Sequence, residues 1–243
     1  MSVRQPKYGL IGYPLMHSCS PDFYRQQYAI DFQLFPLQKI TELPTLLTHM
    51  PDLKGFGVTM PYKEAIMPYL HLLSEEAQQI KAVNCVKVER RGDKLMLCGF
   101  NTDAVGFKKT LENVQLPAKA LIFGTGGASK AVAYVLASLS VAYQFVSRTK
   151  TDNNLIYSEV TPEIWKQYPL LINTTPIGMY PDTEAVLTLP YEALTPEHWL
   201  IDLIYNPLET LFLKEGRIRG CKTQNGLAML HRQAECNWQI WTS

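Results

Sequence analysis

Two apolar rhythms alternate along this chain. KYGLIGYP reads as a buried strand that breaks at Gly12 and Pro14. SPDFYRQQYAI then opens a helix, with Ser20 as N-cap, Pro21 at the first helical position and Asp22 in the first turn. A hydroxyl there satisfies an orphan N–H, and a proline there gives up no hydrogen bond. DFQLFPLQKI alternates as a strand, TELPTLLTHM is helical, and LKGFGVTM is a third strand. This β-α-β-α-β order predicts a parallel sheet with helices on its faces. A helical stretch is expected from Lys63 to Ile80. AVNCVKVERRGDKLMLCGFN is expected to form a hairpin turning at Arg91-Gly92-Asp93.

A second alternation starts near Ala118: strand ALIFG, helix ASKAVAYVLASL, strand YQFVSRT. Lys150 to Gln167 is polar and shows no long amphipathic helix, which leaves a sheet face thinly covered or turned to a partner. YPLLINTTP and HWLIDLIY read as strands and ETLFLKEG as a short helix. GLAMLHRQAECNWQIW is amphipathic, with Leu227, Leu230, Ala234 and Trp238 on one side. Two α/β domains follow from this pattern, the last helix crossing back to the first.

Composition narrows the function. The 243 residues are 47% hydrophobic, enough for proper cores. Lys plus Arg number 23 against 22 Asp plus Glu, so no basic excess points to nucleic acid. No apolar run reaches membrane-span length, and the amino terminus lacks a signal-peptide core. The five cysteines, odd in number and never spaced C-x-x-C, suggest reduced thiols and a cytoplasmic setting. No histidine pairs with another histidine or a cysteine at ligand spacing, so no metal site is expected.

Candidate chemistry sits at the turns. GTGGAS, Gly124 to Ser129, follows a strand and opens a helix, as a dinucleotide pyrophosphate loop does. Gly124 would allow the tight turn and Gly126 the close approach of phosphate. At the next strand end stand Ser147, Arg148, Thr149 and Lys150, with no acid before Asp152. A ribose 2′-hydroxyl is usually met there by Asp or Glu, whereas a 2′-phosphate needs cations and hydroxyls, so NADP is favoured. Ser18 and Ser20 in HSCSP suit a carboxylate at a helix N-terminus, although Ser20 acting only as a cap explains the pattern as well. His17 reads as a structural hydrogen-bonder. Lys63, at a strand-to-helix turn, and Asp103, opening a helix, could each be ordinary: a solvated lysine and a cap. Together with Thr59 and Asn84 they form a set able to hold a polyhydroxylated ligand and move a proton on it.

In order along the chain, GYPLMHSCSP, GFGVTMPYKE, AVNC, GFNTDAVGF, FGTGGASKA, SRT, INTTPIGM, DLIYNPLET and NGLAMLHRQA resemble the shikimate dehydrogenase family. The resemblance covers nearly the whole chain. It implies a discontinuous catalytic α/β domain, 1–103 plus 226–243, and a Rossmann-like NADP-binding domain, 104–225. It implies reversible reduction of 3-dehydroshikimate to shikimate by NADPH in aromatic amino-acid biosynthesis, by a monomer or homodimer. On the resemblance, Ser18 and Ser20 hold the substrate carboxylate, and Thr59, Asn84, Asp103, Tyr205 and Gln233 make the remaining substrate contacts. Lys63 transfers the proton, partnered by Asp103. Gly124, Thr125, Gly126, Gly127 and Ala128 form the phosphate loop, Ser147, Arg148 and Thr149 clamp the adenosine phosphate with Lys150 assisting, and Leu203 and Gly226 line the nicotinamide.

The chain departs from the family pattern at several points. Gly57 stands where Asn is usual before VT, and Cys85 ends the VNT pattern. Ser147 replaces the Asn of NRT, Asp152 takes the place of a second arginine, and the stretch from Lys150 to Tyr168 is short. A quinate/shikimate dehydrogenase using NAD or NADP and a non-catalytic sensor of the same fold are the rival readings. The serine pair and the absence of an acid at Ser147 weigh against the first, and the Lys63–Asp103 pair against the second.

Overall fold

Strands β1 (Lys7–Gly12), β2 (Phe32–Pro36) and β3 (Leu53–Val58) form where the apolar runs predict them, with helix α1 (Ser20–Tyr28) and, after one 3-10 turn, α2 (Leu43–His49) between them. The computed structural model describes residues 6–16, 18–92 and 94–243. His17 and Asp93 lie outside the described residues. The chain divides into two compact units, 1–105 with 231–243, and 106–230.

The expected helix from Lys63 to Ile80 is broken into pieces: α3 (Tyr62–Ala65), a 3-10 turn, the short strand β4 (Leu72–Leu73) and α4 (Glu75–Ile80). Pro68 lies in that 3-10 turn, where a proline cannot donate to a continuing helix. Ser74 Oγ caps α4 by accepting from Ala77 N at 3.2 Å. β5 (Cys85–Arg91) and β6 (Lys94–Phe100) make the predicted hairpin, with Gly92 at φ 60° in its turn. The first sheet has the order β2-β1-β3-β5-β6-β4. It is mixed rather than parallel, because the hairpin enters antiparallel to β3.

After α5 (Asp103–Thr110) the second sheet uses β7 (Lys119–Phe123), β8 (Ala142–Ser147), β9 (Asn154–Ile156), β10 (Leu170–Asn173), β11 (Trp199–Asp202) and β12 (Lys222–Gln224). Every pair in it is parallel, in the order β12-β11-β10-β7-β8-β9. Counted from its own first strand this is the 3-2-1-4-5-6 order of a doubly wound Rossmann sheet, whose switch point lies between β7 and β10. β7, β10 and β11 are almost wholly buried, as strands covered on both faces must be. Helix α6 (Gly127–Ser138) follows β7, and α8 (Leu211–Ile218) precedes β12. In the 150–168 stretch, β9 and the short α7 (Pro162–Gln167) were not legible in the sequence. Trp165 on α7, fully buried, packs with Leu121, Leu171 and Val160 and closes that sheet face.

The last helix, α9 (Leu227–Thr242), buries Met229, Ala234, Asn237 and Trp241; of the expected side, Ala234 is buried and Trp238 packs against Tyr8 and Tyr28, while Leu227 and Leu230 are half-buried. Trp241 is the largest side chain on its buried face. Its ring lies where a Cβ on Gly55 would come within 2.2 Å, and its Nε1 donates to Val86 O at 3.0 Å. Tyr8, Tyr24 and Phe32 pack around it.

Candidate active site

The carboxyl ends of β1 and β3 meet tightly. Thr59 N donates to Ile11 O at 3.0 Å, and a Cβ on Gly12 would lie 2.4 Å from Thr59 Cγ2, so only glycine fits there. Past β1 the chain turns into α1. Ser20 is not its N-cap: Cys19 precedes the helix, and Ser18 Oγ accepts from Ser20 N at 3.3 Å. Capping therefore does not account for the Ser20 hydroxyl. Both serines are half-buried beside the first turn of the helix.

Lys63 sits on α3, four residues beyond Thr59, and its carbonyl accepts from Val83 N at 2.7 Å. Its Nζ donates to Asp103 Oδ2 at 2.6 Å, the two side chains being 17% and 7% exposed. The cap reading of Asp103 fails, because Asn101 Oδ1 caps α5 by accepting from Ala104 N at 3.1 Å. Asp103 Oδ1 accepts instead from Asn84 Nδ2 at 2.9 Å. Asn84, at the start of β5, also donates to Gln233 Oε1 at 3.3 Å, while its Oδ1 accepts from Thr102 N at 2.6 Å. Thr102 Oγ1 donates to Asn237 Oδ1 at 2.6 Å, and Asn237 Nδ2 donates to Gln233 Oε1 at 3.1 Å. Lys63, Asn84, Asp103 and Gln233 thus share one hydrogen-bonded network. Thr102 and Asn237 belong to it and were missed. Asn237 stands one helical turn beyond Gln233, the i, i+4 spacing that would have flagged it. A network so densely bonded favours an oriented ammonium over a mobile one.

In the second unit Gly124 has φ 112°, and a Cβ there would lie 2.6 Å from Thr174 Oγ1. Thr174 Oγ1 shares a 2.6 Å hydrogen bond with Ser129 and donates to Phe123 O at 2.6 Å. The loop is thereby tied across the switch point from β7 to β10. A Cβ on Gly126 would meet no atom within 4 Å. Nothing inside the protein demands glycine there, whereas a phosphate approaching the N-terminus of the twelve-residue α6 would. Thr125, Gly127 and Ala128 complete this turn. The residues present fit a dinucleotide.

Leu203 and Gly226 come together: a Cβ on Gly226 would lie 2.0 Å from Leu203 O, and Gly226 N donates to Ile204 O at 3.0 Å. Beneath them lies a buried cluster the sequence did not announce. Asp202 Oδ1 accepts from Ile204 N at 3.0 Å and from Asn173 Nδ2 at 3.1 Å, and its Oδ2 accepts from Thr210 Oγ1 at 2.6 Å. Burial pushes the Asp202 carboxyl up to about 6, against the pull of those three donors. Tyr205, three residues on, is half-buried in this unit.

At the end of β8, Arg148 and Thr149 are exposed. Lys150 is held by Glu159, at 2.8 and 2.6 Å to its two oxygens, so its assistance to a phosphate comes only in competition with that carboxylate. Ser147 Oγ donates to Thr149 O at 2.7 Å and is engaged within the loop itself.

A Rossmann-ordered unit with a phosphate turn is the class of fold that binds a dinucleotide, and the other unit carries a lysine–carboxylate pair able to hold a proton. Residues 10–86 match the model of the shikimate dehydrogenase substrate binding domain. A shikimate dehydrogenase (NADP(+)) of Methanococcus maripaludis is 36% identical over 96% of this chain and 90% of the relative. Among solved structures, the shikimate dehydrogenase of Aquifex aeolicus superposes with a TM-score of 0.85 at 29% identity, covering 99% of this chain and 94% of that one. The shikimate 5-dehydrogenase of Thermus thermophilus, in complex with NADP(H) and shikimate, gives a TM-score of 0.83 at 33% identity over 98% and 94%. The chain belongs to the shikimate dehydrogenase family.

Proposed function

We infer that this protein is an NADP-dependent shikimate dehydrogenase, which reduces 3-dehydroshikimate to shikimate and runs the reverse reaction. The relatives of that name, matched along nearly the full chain, support the activity and the cofactor. The 2.6 Å contact between Lys63 Nζ and Asp103 Oδ2 is the observation that carries the assignment of roles. NADP, when bound, supplies or takes up the hydride. Lys63 gives its proton to the C3 oxygen of 3-dehydroshikimate as the carbonyl is reduced, and takes it back in the oxidative direction. Asp103 keeps the ammonium aimed, and Asn84 keeps Asp103 aimed in turn. Asn84 and Gln233 orient ring hydroxyls, with Thr59 and Tyr205 as further contacts, while Ser18 and Ser20 bind the carboxylate. Gly124 to Ala128 take the pyrophosphate, Arg148 with Thr149 the 2′-phosphate, and Leu203 with Gly226 the nicotinamide. Much of the rate gain comes from this positioning, since an oriented donor needs no reorganisation as charge develops on the oxygen.

The deciding assay follows absorbance at the NADPH band with shikimate or quinate, each offered with NADP and with NAD. Shikimate with NADP is expected to give much the largest specificity constant. Equal constants for shikimate and quinate would replace this reading by that of a dual-specificity quinate/shikimate dehydrogenase.

A further inference from the structure

β8 and β9 run parallel, with Phe145 beside Asn154, Val146 beside Leu155 and Ser147 beside Ile156. Only residues 148–153 connect them. Parallel neighbours ordinarily need a crossover of about a dozen residues or more, most often through a helix. This connection contains none, so the backbone groups of a sharp reversal must be satisfied in another way.

One side chain does so. Asn154 is 6% exposed. Its Nδ2 donates to Ser147 Oγ at 2.6 Å and to Thr149 O at 2.8 Å, with Leu155 O sharing at 3.1 Å. Its Oδ1 accepts from Thr151 N at 2.5 Å and from Thr151 Oγ1 at 2.6 Å. The two main acceptors of Nδ2 belong to the residues on either side of Arg148. The backbone that carries Arg148 is thus pinned before and after it, while the guanidinium itself stays exposed.

We propose that Asn154 is a specificity-determining positioning residue of the dinucleotide site: it shapes loop 147–151 so that Arg148 and Thr149 meet the cofactor's 2′-phosphate. Ser147 is then a strut of that loop and not a phosphate ligand, since its hydroxyl both donates to Thr149 O and accepts from Asn154. The proposal rests on the NADP reading above. It adds that preference for the phosphorylated cofactor depends on a side chain that never touches it. A preformed loop loses less conformational freedom on binding than a mobile one, which favours the phosphate contact that Arg148 and Thr149 make.

The experiment compares the parent protein, Asn154→Ala, Asn154→Asp and Arg148→Ala. The Asp variant keeps the acceptor for Thr151 but loses the donors to Ser147 and Thr149, so it covers the case in which the alanine variant fails to fold. Steady-state kinetics at saturating shikimate give the ratio of specificity constants for NADP and NAD. Calorimetry with adenosine 2′,5′-bisphosphate and with 5′-AMP reads the same discrimination without turnover. Both Asn154 variants are expected to lower the NADP/NAD ratio at least tenfold, through the KM for NADP, and to weaken the bisphosphate far more than AMP. If folded Asn154 variants keep the parent ratio while Arg148→Ala collapses it, the proposal fails and the NADP reading stands. A parent that favours NAD, or binds AMP as well as the bisphosphate, overturns the NADP reading itself.

Discussion

Removing the Lys63 ammonium takes away the proposed proton donor and leaves Asp103, 7% exposed at its side chain, held by Asn84 without its cation. Lys63→Ala is expected to lower turnover by on the order of a hundredfold or more, the usual effect of losing a positioned acid, while shikimate still binds. Asp103→Asn harms turnover and binding alike, because the carboxylate serves both the lysine and Asn84. Steady-state rates with shikimate calorimetry separate the two cases, and a Lys63→Ala enzyme within a few-fold of the parent contradicts the proton role. Asp202 makes a prediction of a different kind. Its carboxyl is raised from 3.8 to about 6 by burial, so the protonated form is the one the folded state prefers. That contribution is complete below the unfolded value and is lost as pH rises through about 6. At pH 7 the ionised group therefore weighs against folding by on the order of 2–3 kcal/mol. Asp202→Asn stays neutral throughout. Its stability relative to the parent should climb by roughly that amount between pH 4 and pH 7 in urea unfolding. A flat difference would mean that Asp202 titrates normally.

The two loops of the dinucleotide unit differ in what their glycines do. Gly124 lies at φ 112° against Thr174, so Gly124→Ala forces both a strained backbone and a clash, costing roughly 1–3 kcal/mol of stability. Gly126 has open space around its Cβ position. Gly126→Ala is expected to cost under about 1 kcal/mol of stability, as a change at a helix N-cap, yet to raise the KM for NADP well beyond that for shikimate. Thermal unfolding beside cofactor kinetics checks the contrast, and equal NADP constants in parent and Gly126→Ala would deny the loop its phosphate. On the β8–β9 connection, Lys150 is paired to Glu159 across an exposed contact, 52% and 39%. Such pairs contribute about 0–1 kcal/mol. Lys150→Ala should therefore change the NADP constant by no more than about threefold, whereas Asp152→Arg, adding a cation with no carboxylate partner in the loop, should sharpen the preference for NADP. The measurement is the NADP/NAD ratio of specificity constants, and a ratio that Asp152→Arg leaves untouched would place position 152 out of reach of the phosphate.

The first unit is finished by the end of the chain, through residues 231–243. Trp241 seats that segment against Gly55, Tyr8 and Phe32. Trp241→Ala should cost roughly 3–5 kcal/mol by the usual penalty for emptying an aromatic site. It should weaken shikimate binding as well, because Gln233 and Asn237 ride on the same helix; unchanged shikimate affinity in a folded variant would refute that link. What the sequence alone determined is local: the order of the first three strands and their helices, the glycine turn after β7, the hairpin, and the amphipathic last helix. Apolar period, turn residues and caps act within a few positions of one another and are legible there. The recognisable motifs also named Lys63, Asp103, Asn84 and Gln233 as candidates. Tertiary structure alone decided their partners. Thr102 and Asn237 are 135 positions apart, and Asn84 and Gln233 are 149 apart. The antiparallel entry of the hairpin, the burial of Trp241 on α9 and the Asp202 cluster are likewise absent from any short window. An amide or carboxylate reads the same in sequence whether water or the protein satisfies it. Burial makes the difference, because a polar group taken from water must find its partner wherever the fold supplies one.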